Sequence, residues 1–224
     1  MKKIVIGITG VKTSGKSTVA NILKRTLSGA KESALADKLK DVSSRVFLVP
    51  RNYFDDQELK ESKLEEPRIL TMTDIEQIID SFNSLNKVTP EIREKLHEIC
   101  GMELDTPRKI AQIVGTEVLR LLGEDIHCRN VELHEGITIV SDIRFPNEFN
   151  FFRNNEDLEF IPLYISRKEA ESKVSSGSHS SETSVFLFKD ECNKIDNDGS
   201  LTNTQAQVLS LLTNELTKLN KVIF

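Results

Sequence analysis

Between Lys3 and Thr18 the chain reads KIVIGITGVKTSGKST, and no other stretch restricts its fold as much. Ile4, Val5, Ile6 and Ile8 make a near-continuous apolar run, the pattern of a parallel strand covered on both faces. Gly10 and Gly15 bracket Val11-Lys12-Thr13-Ser14, and Lys16-Ser17 complete the spacing GxxxxGK[ST]. Such a loop must curl until successive backbone N–H groups point inward at one phosphate, and a side chain at Gly15 would obstruct that approach. A helix beginning at the loop adds the partial positive charge of its N-terminus. Lys16 then brings an ammonium to the β and γ phosphates, and the Ser17 hydroxyl can ligate Mg²⁺. Strand, loop and helix start follow one another without a gap, which is the context this phosphate-binding motif requires.

The 224 residues suit one α/β domain with an insertion or a lid, and are ample for a sizeable core. Thirty Lys and Arg stand against 35 Asp and Glu, a net charge of −5, so no broad basic face for gripping nucleic acid is expected. Cys100, Cys128 and Cys192 are odd in number, far apart and without CxxC spacing, which argues against a disulfide frame or a zinc site and fits a reducing cytoplasm. No secretory apolar region follows Met1 and no run approaches the ~18 apolar residues of a membrane span, so a soluble protein is expected.

Along the chain, Val19, Ile22, Leu23 and Leu27 recur at helical spacing before Ser28-Gly29. A short apolar run from Ser33 leads to Asp37, a plausible cap for a helix carrying Leu39, Val42, Val46 and Phe47. Lys38 and Lys40 in its first turns suit either solvated lysines or ligand contacts at the carboxyl end of the sheet. From Pro50 the pattern changes to a charged, turn-rich segment with two helical runs, Ile75 to Phe82 and Ile92 to Ile99, read as a helical insertion over residues 50–105. Arg68, in EEPRIL, suits an ordinary surface arginine or one reaching inward. Thr106-Pro107-Arg108-Lys109 is a sharper helix start, and Arg108 on its first turn suits a second anion together with free backbone N–H groups. Gln112, Gly115 and Thr116 follow near one face of that helix, a wet side or a ligand contact.

Ile137 to Val140 reads as a buried strand that ends in SDIRFPNE. Asp142 there can hold a water on Mg²⁺ or orient an attacking oxygen, and Arg144 can face a transferring phosphoryl group; the alternative is a turn held by an ion pair with Asp142 or Glu148. Phe160 to Ile165 reads as a strand whose Pro162 points to an edge or early position. Arg167 follows it and opens a Ser-rich stretch, 167–185, with His179 and Glu182, which suits a closing lid or an idle loop. Lys194-Ile195 reads as a fifth strand, and Asn197 behind it suits either a base contact or an Asx turn capping a last helix with Val208, Leu212, Leu216 and Leu219.

In this order the motifs GVKTSGKST, ALADKLKD, PRKIAQIVGTE, IVSDIRFPNE, His179 with Glu182, and IDNDGSL resemble bacteriophage deoxynucleoside monophosphate kinases of the P-loop kinase superfamily. The resemblance implies a single three-layer α/β domain spanning 1–224, with a mainly parallel five-stranded sheet flanked by helices. It implies that Ser14, Gly15, Lys16, Ser17 and Thr18 hold ATP, with Asn197 at the adenine, and that Lys12, Leu39, Lys40, Arg68, Arg108, Gly115, Cys128 and Arg144 border a deoxynucleotide. Lys16, Asp142, Arg144 and Arg167 then carry the reaction, with Mg²⁺ on Ser17 and, through water, on Asp142. Where relatives place an aromatic for the base, this chain offers His127 or Cys128. A homodimer acting on small nucleotides in a host cytoplasm is the further implication. The rival readings are a P-loop kinase for another small phosphorylated metabolite and a nucleotide-dependent switch. Against the switch, Asn86-Lys87 and Asn220-Lys221 lack the Asp of an NKxD element.

Overall fold

The computed structural model describes residues 2–175, 177 and 180–219. Its strands are β1 (Lys3–Thr9), β2 (Lys31–Ser33), β3 (Arg68–Ile69), β4 (Glu103–Leu104), β5 (Ile137–Val140), β6 (Leu158–Ser166) and β7 (Asn193–Asp196). Its helices are α1 (Lys16–Thr26), α2 (Asp37–Phe47), α3 (Asn52–Asp55), α4 (Met72–Ser81), α5 (Pro90–Glu98), α6 (Pro107–Gln112), α7 (Ile126–Arg129), α8 (Pro146–Arg153), α9 (Lys168–Glu171), α10 (Ser180–Thr183) and α11 (Leu201–Lys218). The chain divides into two compact units, one of residues 1–34 and 132–224, the other Leu35–Val131.

The first unit is a five-stranded sheet in the order β2-β5-β1-β6-β7, every neighbouring pair parallel. Side chains alternate between its faces. Ile4, Ile6 and Ile8 pack with Val19 and Leu23 of α1 and with Val208, Leu212 and Leu216 of α11. On the other face Phe160 meets Phe149 and Phe152 of α8, ring centroids 5.5 and 5.7 Å apart. Gly7 lies beneath them, where a Cβ would fall 2.6 Å from both Ile143 and Phe160. Helices thus cover both faces, as the apolar strands require. The chain runs from β1 outward to β2 and, after β5, crosses to β6, so the order reverses at β1 and the carboxyl end of β1 is the switch point where such sheets bind ligands.

Pro162 departs in part from its expected place. β6 is an inner strand, but β7 pairs with it only from Leu163 onward, so at the proline one side of the strand has no partner in the sheet to receive an N–H.

In the second unit α2, α4, α5 and α6 enclose a core that includes Val42, Phe47, Ile75, Ile78, Ile79, Leu96, Leu104, Ile110 and Val118. The caps of α4 and α6 are side chains: Thr71 accepts from Asp74 N, and Thr106 from Lys109 N with Pro107 at the first helical position. Asp37 is not the cap of α2. It is the first helical residue, Ala36 stands at the N-cap, and the Asp37 carboxylate pairs with Arg51 at 3.1 Å. β3 and β4 form a short antiparallel pair, and α6 passes at Ile113 into a π-helical stretch through Leu119.

Candidate active site

Directly after β1, Gly10 (φ 146°), Thr13 (φ 64°) and Gly15 (φ 103°) curl the chain before α1 begins at Lys16. Gly15 is required twice over, because besides this backbone angle a Cβ there would fall 2.1 Å from Nδ2 of Asn197. Ser14 is buried inside the curl, and its Oγ has no hydrogen-bond partner among the described residues. Ser17 and Thr18 are exposed on the first turn of α1.

Lys16 lies at the centre of the charges. Its Nζ donates to the carbonyls of Gly10 and Val11, 2.7 Å each. Burial, and next the positive charge of Arg144, pull its pKa down to about 8, while Glu182 and Asp142 act in the opposite direction. Lys16, Asp142, Arg144 and Glu182 therefore share one neighbourhood, although the sequence spreads them from the start of α1 to α10.

Their placement follows from the strands. Ile143 N donates to Ile8 O at 3.3 Å, so the residues after β5 stay alongside the end of β1. Glu148, buried at the third position of α8, accepts from the backbone N–H of Arg144 at 2.8 Å and of Phe145 at 3.1 Å, which fixes where Arg144 leaves the chain. Arg167, following β6, donates through Nη1 to Thr13 O at 3.3 Å and pairs with Glu169. Glu182 accepts from Lys12 N at 2.5 Å. Asn197, following β7, donates from Nδ2 to Ser14 O at 2.8 Å. Of the Ser-rich stretch, His179 lies outside the described residues.

The remaining candidates are in the second unit, where the basic ones meet carboxylates. Arg108, on the first turn of α6, pairs with Glu61 at 2.5 Å, and Lys40 with Asp55 at 2.9 Å. Arg68 donates to Phe47 O at 3.0 Å and pairs with Glu66 at 3.5 Å. Leu39 and Cys128 are buried. Gly115 lies in the π-helical stretch, where a Cβ would stand 3.1 Å from Leu39 Cδ2 and its carbonyl is 3.3 Å from Nε2 of buried His127. Burial holds the His127 imidazole below its ordinary pKa. The π geometry, with i→i+5 bonding, breaks the α-helical spacing on which Gln112, Gly115 and Thr116 were placed on one face.

Of the first unit, Thr204 is not singled out by the sequence, and Glu148, expected at most as an ion-pair partner of Arg144, accepts backbone N–H groups instead. Glu148 had a signal, a Glu at N3 behind a Pro at N1. Thr204 had a fainter one, a polar residue heading the stripe Thr204, Val208, Leu212 and Leu216 on α11, all of them buried.

Among the described residues no group of three His, Cys, Asp or Glu side chains could hold a metal ion. One serine hydroxyl and one carboxylate near Lys16 instead suit Mg²⁺, which keeps several waters and shares the oxygens of substrate phosphates.

No family model matches the chain. It is 24% identical over 248 aligned positions to the deoxynucleoside-5′-monophosphate kinase of Escherichia phage T5, covering 95% of this chain and 97% of that one. Among solved structures it is similar to TT1252 from Thermus thermophilus, with a TM-score of 0.42 and 21% identity over 96% of this chain and 99% of the other. It is also similar to the dephospho-CoA kinase from Campylobacter jejuni, with a TM-score of 0.36 and 10% identity over 95% and 97%. The phage T5 enzyme bears out the resemblance carried by the motifs, and the parallel sheet with its loop bears out the fold. The curled loop with its partly buried lysine, together with likeness to a named kinase over most of both chains, supports an ATP-dependent phosphotransferase.

Proposed function

We propose that the chain is a deoxynucleoside monophosphate kinase, moving the γ-phosphoryl group of ATP to the 5′-phosphate of a dNMP to give dNDP and ADP. The observation that carries this reading is the full-length similarity to the phage T5 enzyme in a chain whose phosphate loop gathers Lys16, Asp142, Arg144 and Arg167. An oxygen of the acceptor phosphate attacks the γ phosphorus, and the bond to the bridging oxygen of ADP breaks. Both reactants are anions, so alignment and cationic charge do most of the work. The acceptor phosphate is already ionised near pH 7, and no strong base is needed.

In this reading Ser14 to Thr18 hold the triphosphate, and Lys16 neutralises charge on its β and γ groups. Ser17 and Asp142 are the residues that would hold Mg²⁺, which when bound neutralises phosphate charge and fixes the triphosphate's shape. Arg144 and Arg167 offset the charge that builds on the moving group. Lys12 is assigned to the acceptor, as are Lys40, Arg68 and Arg108 of the second unit, whose present carboxylate partners a phosphate would replace. Leu39, Gly115 and Cys128 are assigned to its nucleoside. A homodimer working in the cytoplasm of a host cell belongs to the same proposal, and sedimentation of the purified protein tests the dimer.

The decisive assay is ADP formation from ATP with each of the four dNMPs and NMPs in turn. Turnover with at least one dNMP is expected. Turnover confined to another phosphorylated metabolite, or GTP binding with slow hydrolysis and no acceptor dependence, overturns the reading.

A further inference from the structure

The curl of the phosphate loop is held by a side chain 183 residues further along the chain. Nδ2 of Asn197 donates to Ser14 O at 2.8 Å, and Oδ1 of Asn197 accepts from Thr204 Oγ1, also at 2.8 Å. Ser14 O can only accept, so the amide must turn its nitrogen to the loop and its oxygen to Thr204, whose hydroxyl then donates. Thr204 is fully buried on α11. The backbone around Asn197 is tied as well. Asn197 N donates to Ser166 O at 2.8 Å, while Gln207 bonds both the carbonyl and the N–H of Asp196 at 2.8 and 2.9 Å. Asn197 is therefore fixed from three directions before it touches the loop.

The contact has a geometric consequence. In a planar trans peptide the C=O of one residue and the N–H of the next point in opposite directions. Holding the Ser14 carbonyl toward Asn197 aims the Gly15 N–H the other way, away from Asn197, which in the phosphate-binding reading of the loop is toward the phosphate. Gly15 has no Cβ to keep Asn197 out, since one would fall 2.1 Å from Nδ2. The expectation of a base contact for Asn197 meets a side chain whose oxygen and nitrogen both bond protein groups.

We propose that Asn197, oriented by Thr204, is a positioning residue of the donor site that sets the direction of the Gly15 N–H. The proposal rests on the reading of the loop as a triphosphate site, and it does not depend on which acceptor is used. The test is titration calorimetry of the full chain with ATP and, separately, with inorganic tripolyphosphate, which has no base. Asn197→Leu should weaken both ligands by the same factor, about tenfold, as expected for one lost hydrogen bond at the site. Thr204→Val should weaken both several-fold, and Thr204→Ser should restore wild-type affinity for both. If only ATP binding falls, Asn197 acts on the base and the proposal fails. If neither falls in Asn197→Leu or Thr204→Val, it fails too. Should Asn197→Leu not fold, the Thr204 pair decides alone. A wild-type protein that binds no tripolyphosphate would overturn the triphosphate reading itself, a result separate from either of these.

Discussion

Replacing Lys16 by Met should abolish turnover and at the same time stabilise the fold. Lys16 has a pKa of about 8 in place of the ordinary 10.5, first through burial and then through Arg144. At 1.36 kcal/mol per pKa unit, the charged side chain costs the native state roughly 3 kcal/mol near neutral pH. Methionine removes that cost and keeps the aliphatic stem. The carbonyls of Gly10 and Val11 lose their donor, which offsets on the order of 1–2 kcal/mol. The net gain of about 1–2 kcal/mol corresponds to a Tm higher by roughly 2–8 °C for a chain of this size. The sign with pH follows from linkage. A lysine whose pKa is lowered on folding burdens the native state fully below that pKa, and the burden fades as pH rises from about 8 to 10.5, where the unfolded chain also loses the proton. Scanning calorimetry of both proteins between pH 7 and 10.5 should therefore show the advantage of Lys16→Met shrinking with rising pH. A variant that melts below the wild type at pH 7, or an advantage that grows with pH, refutes the reasoning. ADP release should fall by orders of magnitude, and near-normal activity would remove Lys16 from the mechanism.

Three further substitutions test other parts of the molecule. Arg108→Ala should raise the KM for dNMP at least about tenfold and leave the KM for ATP unchanged; its ion pair with Glu61 is largely exposed, so Tm should move little. Glu182→Gln withdraws a carboxylate that holds the Lys12 N–H and lies near Lys16, so ATP should bind several-fold tighter in titration calorimetry; weaker binding would place Glu182 among the groups that hold the nucleotide. Gly7→Ala forces a methyl within 2.6 Å of Ile143 and Phe160 and should cost about 1–3 kcal/mol, seen as a lower urea midpoint, whereas an unchanged midpoint would contradict the packing of α8 on the sheet.

The donor side was legible in the sequence because its chemistry is local: a strand, a curled loop and a helix start must be contiguous to cradle a phosphate. The strands holding Ile137–Val140 and Ile195, the capped helix behind Thr106, and the last helix with Val208, Leu212 and Leu216 were equally readable, although the cap of that last helix is Ser200 and not an Asx turn at Asn197. What escaped depends on distance or on departures from regular geometry. The bond from Asn197 to Ser14 joins two ends of the chain and leaves no periodic trace. The strand pair Arg68–Ile69 with Glu103–Leu104 is too short to alternate, and the π-helical stretch at Ile113 carries the same apolar residues that an α-helix would. Asp37 looked like a cap because its residue type favours one, but Arg51 engages its carboxylate instead.

The sheet also shows how the chain accommodates Leu35–Val131. That excursion departs just after β2 and returns just before β5, two strands hydrogen-bonded side by side, with Ser33 Oγ donating to Glu132 O at 2.9 Å across the gap. Exit and re-entry thus form a single doorway in the sheet. The closure that a long detour normally demands is already met by strand pairing, and extra residues there add only slowly to the entropy of the loop. Insertions and deletions of many residues within the detour can therefore accumulate while the register of the five strands stays as it is.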